Sequence, residues 1–204
     1  MKNLRSNISA CSFIGIIVLI AALTDLAFGI YYDPWYEILW FSNTILFILA
    51  FAFMFRSSLL MGAVLISSIV EIPWIVDFIT HLMFGRGYFG GVTDYMFKLS
   101  SPRFYNELNH LSILPLVIYG AFAVGISGKS YLFSGMHAAV LNTLSFFFAP
   151  AASNINCINH LCFLKENPFP LNGFAYYAVA TLLLCIFSYI LNKAYLLIPQ
   201  FRRI

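Results

Sequence analysis

Charge is scarce in this 204-residue chain: Asp, Glu, Lys and Arg make up 9% of it, against about 25% in an ordinary soluble domain. Apolar residues make up 61%, and mean hydropathy is +0.87. That balance excludes a soluble globular domain and a disordered tail. Eleven basic and eight acidic residues leave a net charge of +3. The positives are scattered singly instead of forming dense tracts, which excludes nucleic acid as a partner. Recognisable catalytic motifs are missing as well. There is no Gly-x-Ser-x-Gly, no His-Glu-x-x-His and no phosphate-binding glycine loop. No arginine array lies within an apolar run, so voltage sensing is excluded.

What is present is a set of long apolar runs, at 12–30, 36–55, 59–80, 108–126, 131–149 and 174–196. Each is near the roughly 20 residues needed to cross about 30 Å of hydrocarbon. Spanning backbone must satisfy its own hydrogen bonds, so the runs are helices. The expected fold is all-α: a polytopic membrane protein with six transmembrane helices in one domain, 1–204, without internal repeats. Lys2 and Arg5 precede the first run in the manner of a signal peptide, but no small-residue cleavage site follows it, so a retained helix is expected. With the N-terminus inside, Lys2, Arg5, Arg56, Lys129, Lys193, Arg202 and Arg203 face the cytoplasm, seven of the eleven positives. Arg86, Lys98, Arg103 and Lys165 then lie outside, and both termini are cytoplasmic.

The inner loops are tight, so helices two and three and helices four and five form antiparallel hairpins. The outer loops, 81–107 and 150–173, are long and rich in Gly, Pro, Asn and aromatic residues. Long loops at one mouth of a bundle are the expected seat of function. A short interfacial or re-entrant segment is expected near 92–100. Tyr31, Tyr32, Trp35, Tyr36, Trp40 and Tyr105 read as an aromatic belt at the outer rim.

Ionisable groups inside spans are costly and face the bundle interior. Glu71 and Asp77 lie in the outer half of the third helix, and Asp77 shares a face with His81, four residues on. Glu71 lies roughly 9 Å deeper and about 120° round from Asp77. Pro73 should free a backbone carbonyl and kink the helix locally. Asp77, His81 and His110 are expected at one depth, where a carboxylate could orient an imidazole base. Structural hydrogen bonding across helices is the competing reading for Glu71, Asp77 and both histidines. Asp25 reads as an interfacial or capping group, and His137 as a cross-helix hydrogen-bonding residue.

The stretch Asn154-Ile155-Asn156-Cys157-Ile158-Asn159-His160-Leu161-Cys162 invites three readings: a zinc site, a disulfide between Cys157 and Cys162, or a cysteine nucleophile with a histidine base. Cys-x4-Cys is not the tight Cys-x2-Cys knuckle and has no second pair, which argues against metal. Cys11 and Cys185 read as apolar filler.

Several segments in order resemble a family of small bacterial polytopic integral membrane proteins without an assigned function. They are Leu39-Trp40-Phe41-Ser42-Asn43, Glu71-Ile72-Pro73-Trp74-Ile75-Val76-Asp77-Phe78, Gly91-Val92-Thr93-Asp94-Tyr95-Met96-Phe97, Leu108-Asn109-His110 with Leu114-Pro115, and Asn154-Ile155-Asn156. Together they cover most of 39–156. The resemblance implies a compact helical inner-membrane protein, with Asp77, Asp94, His110, Asn154 and Asn156 as the preferred polar set. The chain departs from the family pattern at Asn43, where a histidine is usual, and at Cys157–His160, which replace an aromatic-glycine continuation. No reaction comes with the family.

The leading functional expectation is a membrane-embedded enzyme acting on a lipid or lipid-linked substrate at the outer leaflet, by acyl transfer or hydrolysis. His110 would be the base, supported by Asp77 or Asp94; Asn154 and Asn156 would hold a carbonyl or phosphate oxygen, and Glu71 and His81 would line the substrate site. One alternative is an ion- or proton-coupled transporter or membrane-binding module centred on Glu71 and Asp77. Another is a structural or accessory subunit. Expected partners are membrane lipids, with a second copy of the chain or another membrane protein. The sequence designates no cofactor and no metal.

Overall fold

The computed structural model describes residues 8–88, 91–159, 162 and 173–202. Lys2, Arg5, His160, Lys165 and Arg203, used above for orientation and for the metal reading, lie outside the described residues. The protein is an all-α bundle, and its helices are α1 (Ile8–Tyr32), α2 (Phe41–Met54), α3 (Ser58–Ser67), α4 (Glu71–Phe84), α5 (Ser101–Glu107), α6 (Asn109–Val124), α7 (Ser130–Phe148) and α8 (Gly173–Tyr195). α3 and α4 form one helical run, Ser58–Phe84, and α5 and α6 another, Ser101–Val124. With Ala10–Tyr32, Ser130–Phe148 and Gly173–Tyr195, five runs among the described residues are long and apolar enough to cross a membrane.

Two boundaries differ from the hydropathy reading, and a third feature follows it. The second segment, expected over 36–55, opens with a 3-10 turn at Trp35–Leu39, and Trp40 is extended before α2 begins. α2 has 14 residues and is about 21 Å long, short of a full crossing. The break is held from outside the segment. Asn156 donates to the Leu39 carbonyl at 2.8 Å and accepts from the Phe41 amide at 2.9 Å, satisfying backbone groups that a continuous helix would have paired. The fourth segment starts earlier than 108, because Ser100-Ser101-Pro102 places proline in the first turn of α5, where its missing N–H costs nothing. Within Ser58–Phe84 a 3-10 turn at Ser68–Val70 separates α3 from α4. It sits where Pro73 has no N–H to give the Ile69 carbonyl, the break the sequence predicts.

Hydrogen bonds gather the loops at two ends. At one end Ile126 N–H donates to Phe201 O at 2.7 Å, Ser127 N–H to Ser58 O at 3.0 Å, and Asn192 Nδ2 to Gly128 O at 2.9 Å. At the other, Arg103 pairs with Asp33, and the 150–159 loop packs on Leu39 and Phe41. Phe53, Ile45, Leu49, Met61, Ile113 and Val117 are fully buried between them. Close helix approach relies on small residues: a Cβ on Gly62 would come within 2.2 Å of Ser130 Oγ, so α3 and α7 meet there nearly backbone to backbone. α8 exposes Phe174, Leu182, Leu183, Ile186 and Ile190, the apolar face expected of a helix bordered by lipid.

Candidate functional site

Glu71 sits midway along the Ser58–Phe84 run and is 2% exposed. Starting α4 just after the 3-10 turn turns its side chain toward α6. Its Oε2 lies 2.9 Å from His110 Nδ1. The other imidazole nitrogen, Nε2, lies 3.6 Å from Glu107 Oε2. Glu107 and His110 are three apart, on consecutive turns flanking the α5–α6 junction at Leu108. Trp74, one turn on from Glu71, stacks on the imidazole with ring centroids 4.6 Å apart and planes at 22°. Tyr95, from the 85–100 loop, donates its hydroxyl to Glu107 Oε2 at 2.7 Å. Burial and the neighbouring Glu107 charge push the Tyr95 phenol well above its usual 10, so it stays a donor.

The result is a chain of acid–base groups, Glu71–His110–Glu107–Tyr95, running from mid-span toward the long loops. Both ring nitrogens face carboxylates, and the indole covers one face of the ring. A second carboxylate–amide pair lies alongside: Asn106 Nδ2 donates to Asp25 Oδ1 at 2.6 Å, and Asp25 interacts electrostatically with His110 and Glu107.

The predicted site residues fall into separate clusters. His110 is taken up by Glu71 and Glu107, and Asp77 by a different partner: its Oδ2 accepts from the Thr93 amide at 2.9 Å and from the Thr93 hydroxyl at 2.8 Å. The expected pairing of His110 with Asp77 is therefore replaced by one with Glu71. The rotation between the two acids directs Asp77 to the 87–93 loop instead. Gly87 packs tightly on the same carboxylate, since a Cβ there would lie 2.4 Å from either Asp77 oxygen. Asp94 meets His81, with Oδ1 2.8 Å from Nδ1, and His81 stacks on Phe97 at 3.8 Å.

Asn154 Oδ1 accepts from the Asn159 amide at 2.9 Å, and its Nδ2 lies 3.6 Å from Cys162 Sγ. Asn156 Nδ2 reaches Leu39 O at 2.8 Å and Ser145 Oγ at 3.1 Å. Both asparagines are left-handed, with φ of 46° and 56°. That conformation favours asparagine among non-glycine residues, and both side chains are engaged in structural bonds, those of Asn154 within the loop and those of Asn156 to Leu39, Phe41 and Ser145. Glu107, Tyr95 and Trp74 were missing from the sequence-based set. The Glu107-x-x-His110 spacing was legible, whereas Tyr95 arrives through a loop and left no local signal.

Cys157 and Cys162 form a disulfide with Cα atoms 5.2 Å apart, which resolves the three readings of that loop and removes its thiolates from any metal site. Cys11 and Cys185 are free thiols, Cys11 buried. Among the described residues no three His, Cys, Asp or Glu side chains group as metal ligands. His137 Nε2 lies 2.9 Å from Thr44 Oγ1, a bond between α7 and α2. At the loop-rich rim, burial raises the carboxyl pKa of Asp33 and Glu37, opposed by Arg103 for the first and by the Trp40 indole N–H for the second.

Compared with known proteins, the chain matches no family model, no curated protein and no solved structure. The functional reading therefore rests on the geometry above.

Proposed function

We propose that this protein is a proton-coupled carrier of a small solute, crossing a bacterial inner membrane six times with both termini in the cytoplasm. The observation that carries the reading is the His110 imidazole held between Glu71 and Glu107 within the bundle. Ionisable groups at this depth are expensive and mark ion or proton pathways. A proton can pass directly between His110 and Glu71 at 2.9 Å; Glu107, at 3.6 Å, comes into reach with a small side-chain shift, and Tyr95 links Glu107 to the loop-rich end. Buried Phe53, Met61, Ile113 and Val117 form the apolar interior of the bundle. A carrier would have to part such packing to release its proton on the other side. Arg56, Lys129, Lys193 and Arg202 cluster at or near the short-loop end, which supports assigning that end to the cytoplasm. α2 serves as the sixth pass, because it returns the chain from Trp40 to Arg56 at that end.

The test is charge displacement on a solid-supported membrane carrying proteoliposomes. A pH jump should give a transient current with the wild type and none with Glu71→Gln or His110→Gln. Absence of a current from folded wild-type protein at every pH would overturn the reading.

One observation favours a second reading, an enzyme acting on a lipid or lipid-linked substrate at the outer leaflet. The His81 and Asp94 side chains are 18% and 50% exposed, and Asp94 orients the ring through Nδ1. Nε2 is then the nitrogen offered as a general base for water attacking an acyl or phosphate ester. Purified protein mixed with a lipid extract should produce a changed species that His81→Ala abolishes. An unchanged lipid profile sinks this reading.

A further inference from the structure

A cavity of about 170 Å³ opens between α1 and α2. Asp25, Asn43 and Thr44 supply its polar lining, and Leu26, Ile38 and Phe47 its apolar wall. Asp25 Oδ1 is occupied by Asn106, while Oδ2 has no hydrogen bond among the described residues. The Asn43 amide gives one N–H to Glu37 O at 3.0 Å, and its carbonyl oxygen is available to accept. The Thr44 hydroxyl donates to Phe41 O at 3.0 Å and its oxygen takes the 2.9 Å contact with His137 Nε2, which leaves one lone pair for a ligand. The cavity thus offers acceptors from three side chains against one remaining donor, the second N–H of Asn43. Asp25 is also in electrostatic reach of His110 and of the carboxylates of Glu107 and Asp33, two acids against one imidazole.

Acceptors that outnumber donors, one of them a carboxylate in apolar surroundings, suit a hydrogen-bond-donating cation and disfavour anions. The volume far exceeds the roughly 30 Å³ share of one water, and the apolar wall suits a short hydrocarbon stem.

We propose that this cavity is a binding site for a primary ammonium on a short apolar stem, with Asp25 as its counter-ion and the oxygens of Asn43 and Thr44 as its further acceptors. The inference deepens the carrier reading by naming the solute class, and rests on that reading only for transport. The ammonium can belong to a free amine or to the headgroup of an ethanolamine phospholipid.

The experiment is calorimetric titration of the full chain in nanodiscs of phosphatidylglycerol, with propylammonium as the probe and propanol and propionate as neutral and anionic controls. Propylammonium should bind and the controls should not. Asp25→Asn should weaken binding about tenfold or more, the scale of one charge-assisted hydrogen bond. Gly29→Leu fills the same cavity without touching a polar group; the nearest atom to a Cβ there is Ile38 Cγ2 at 3.8 Å. It should abolish binding while the protein stays folded. In nanodiscs containing phosphatidylethanolamine, loss of propylammonium binding identifies the lipid headgroup as occupant, and unchanged binding identifies a free amine. No binding to folded wild type, equal binding of propanol, or full binding by folded Gly29→Leu overturns the proposal. Binding without any pH-jump current leaves this site standing and removes the carrier reading; current without binding does the reverse.

Discussion

His110 Nδ1 and Glu71 Oε2 meet at 2.9 Å, tying the middle of the Ser58–Phe84 run to the Ser101–Val124 run. Neither partner is easily removed alone, because each would leave the other's polar atoms buried and unmatched.

Glu71→Leu or His110→Leu alone should therefore cost about 3 kcal/mol or more, the scale of breaking a buried ion pair. The double replacement should cost clearly less than the sum, with a coupling of about 1–3 kcal/mol. Unfolding in detergent–lipid micelles, run as a double-mutant cycle, measures this. Additive costs would mean the pair is not formed.

Asn156→Gly keeps the left-handed backbone at no steric cost, so it isolates the side chain. It strips partners from the Leu39 carbonyl and the Phe41 amide, and should destabilise by about 2–4 kcal/mol. Hydrogen exchange at Phe41 should accelerate selectively. Unchanged exchange there would show that α2 does not depend on this clamp.

Cys157 and Cys162 are five residues apart, so their disulfide closes a small loop, and reduction should cost about 2 kcal/mol. The proposed orientation places the long loops outside, so a membrane-impermeant phosphine should reduce it in intact cells. Reduction only after permeabilisation would invert the orientation.

The Glu37 carboxyl has its pKa raised, chiefly by burial. The native state then favours the protonated form, so Glu37 supports the fold below the ordinary carboxylate range, and that support is lost as pH climbs through the raised value. Glu37→Gln retains an acceptor for the Trp40 indole N–H, which now reaches Glu37 Oε2 at 2.6 Å. The variant should match the wild type in acid and gain on it toward neutral pH, read from thermal melts across a pH series. A gap that widens in acid would reverse the assignment.

The crossing runs were legible because a stretch of about 20 apolar residues has few alternatives to a membrane helix. Pro73 also announced the break near Ser68–Val70, since a missing N–H acts locally. The start of α2 was hidden, because the group that ends the 3-10 turn is Asn156, more than a hundred residues away. His110 was legible as a site residue, but its partner was not. Helix rotation separates Glu71 from Asp77, yet only packing against α6 decides which of them meets the imidazole. Asn154 and Asn156 looked like oxygen-binding groups because left-handed loop asparagines and ligand-binding ones share a composition. Their targets, backbone atoms and a disulfide sulfur, appear only in three dimensions.

The 14 residues of α2 have a consequence for the surrounding lipid. Taken as the proposed sixth pass, a helix some 9 Å short of the hydrocarbon thickness would be met by mismatch, and one response is local thinning, a dimple in the adjacent leaflet. Headgroups and water drawn down beside Trp40 would reach toward the level of Asp25, giving a polar visitor a shallow way in from the side instead of a long pore through the middle.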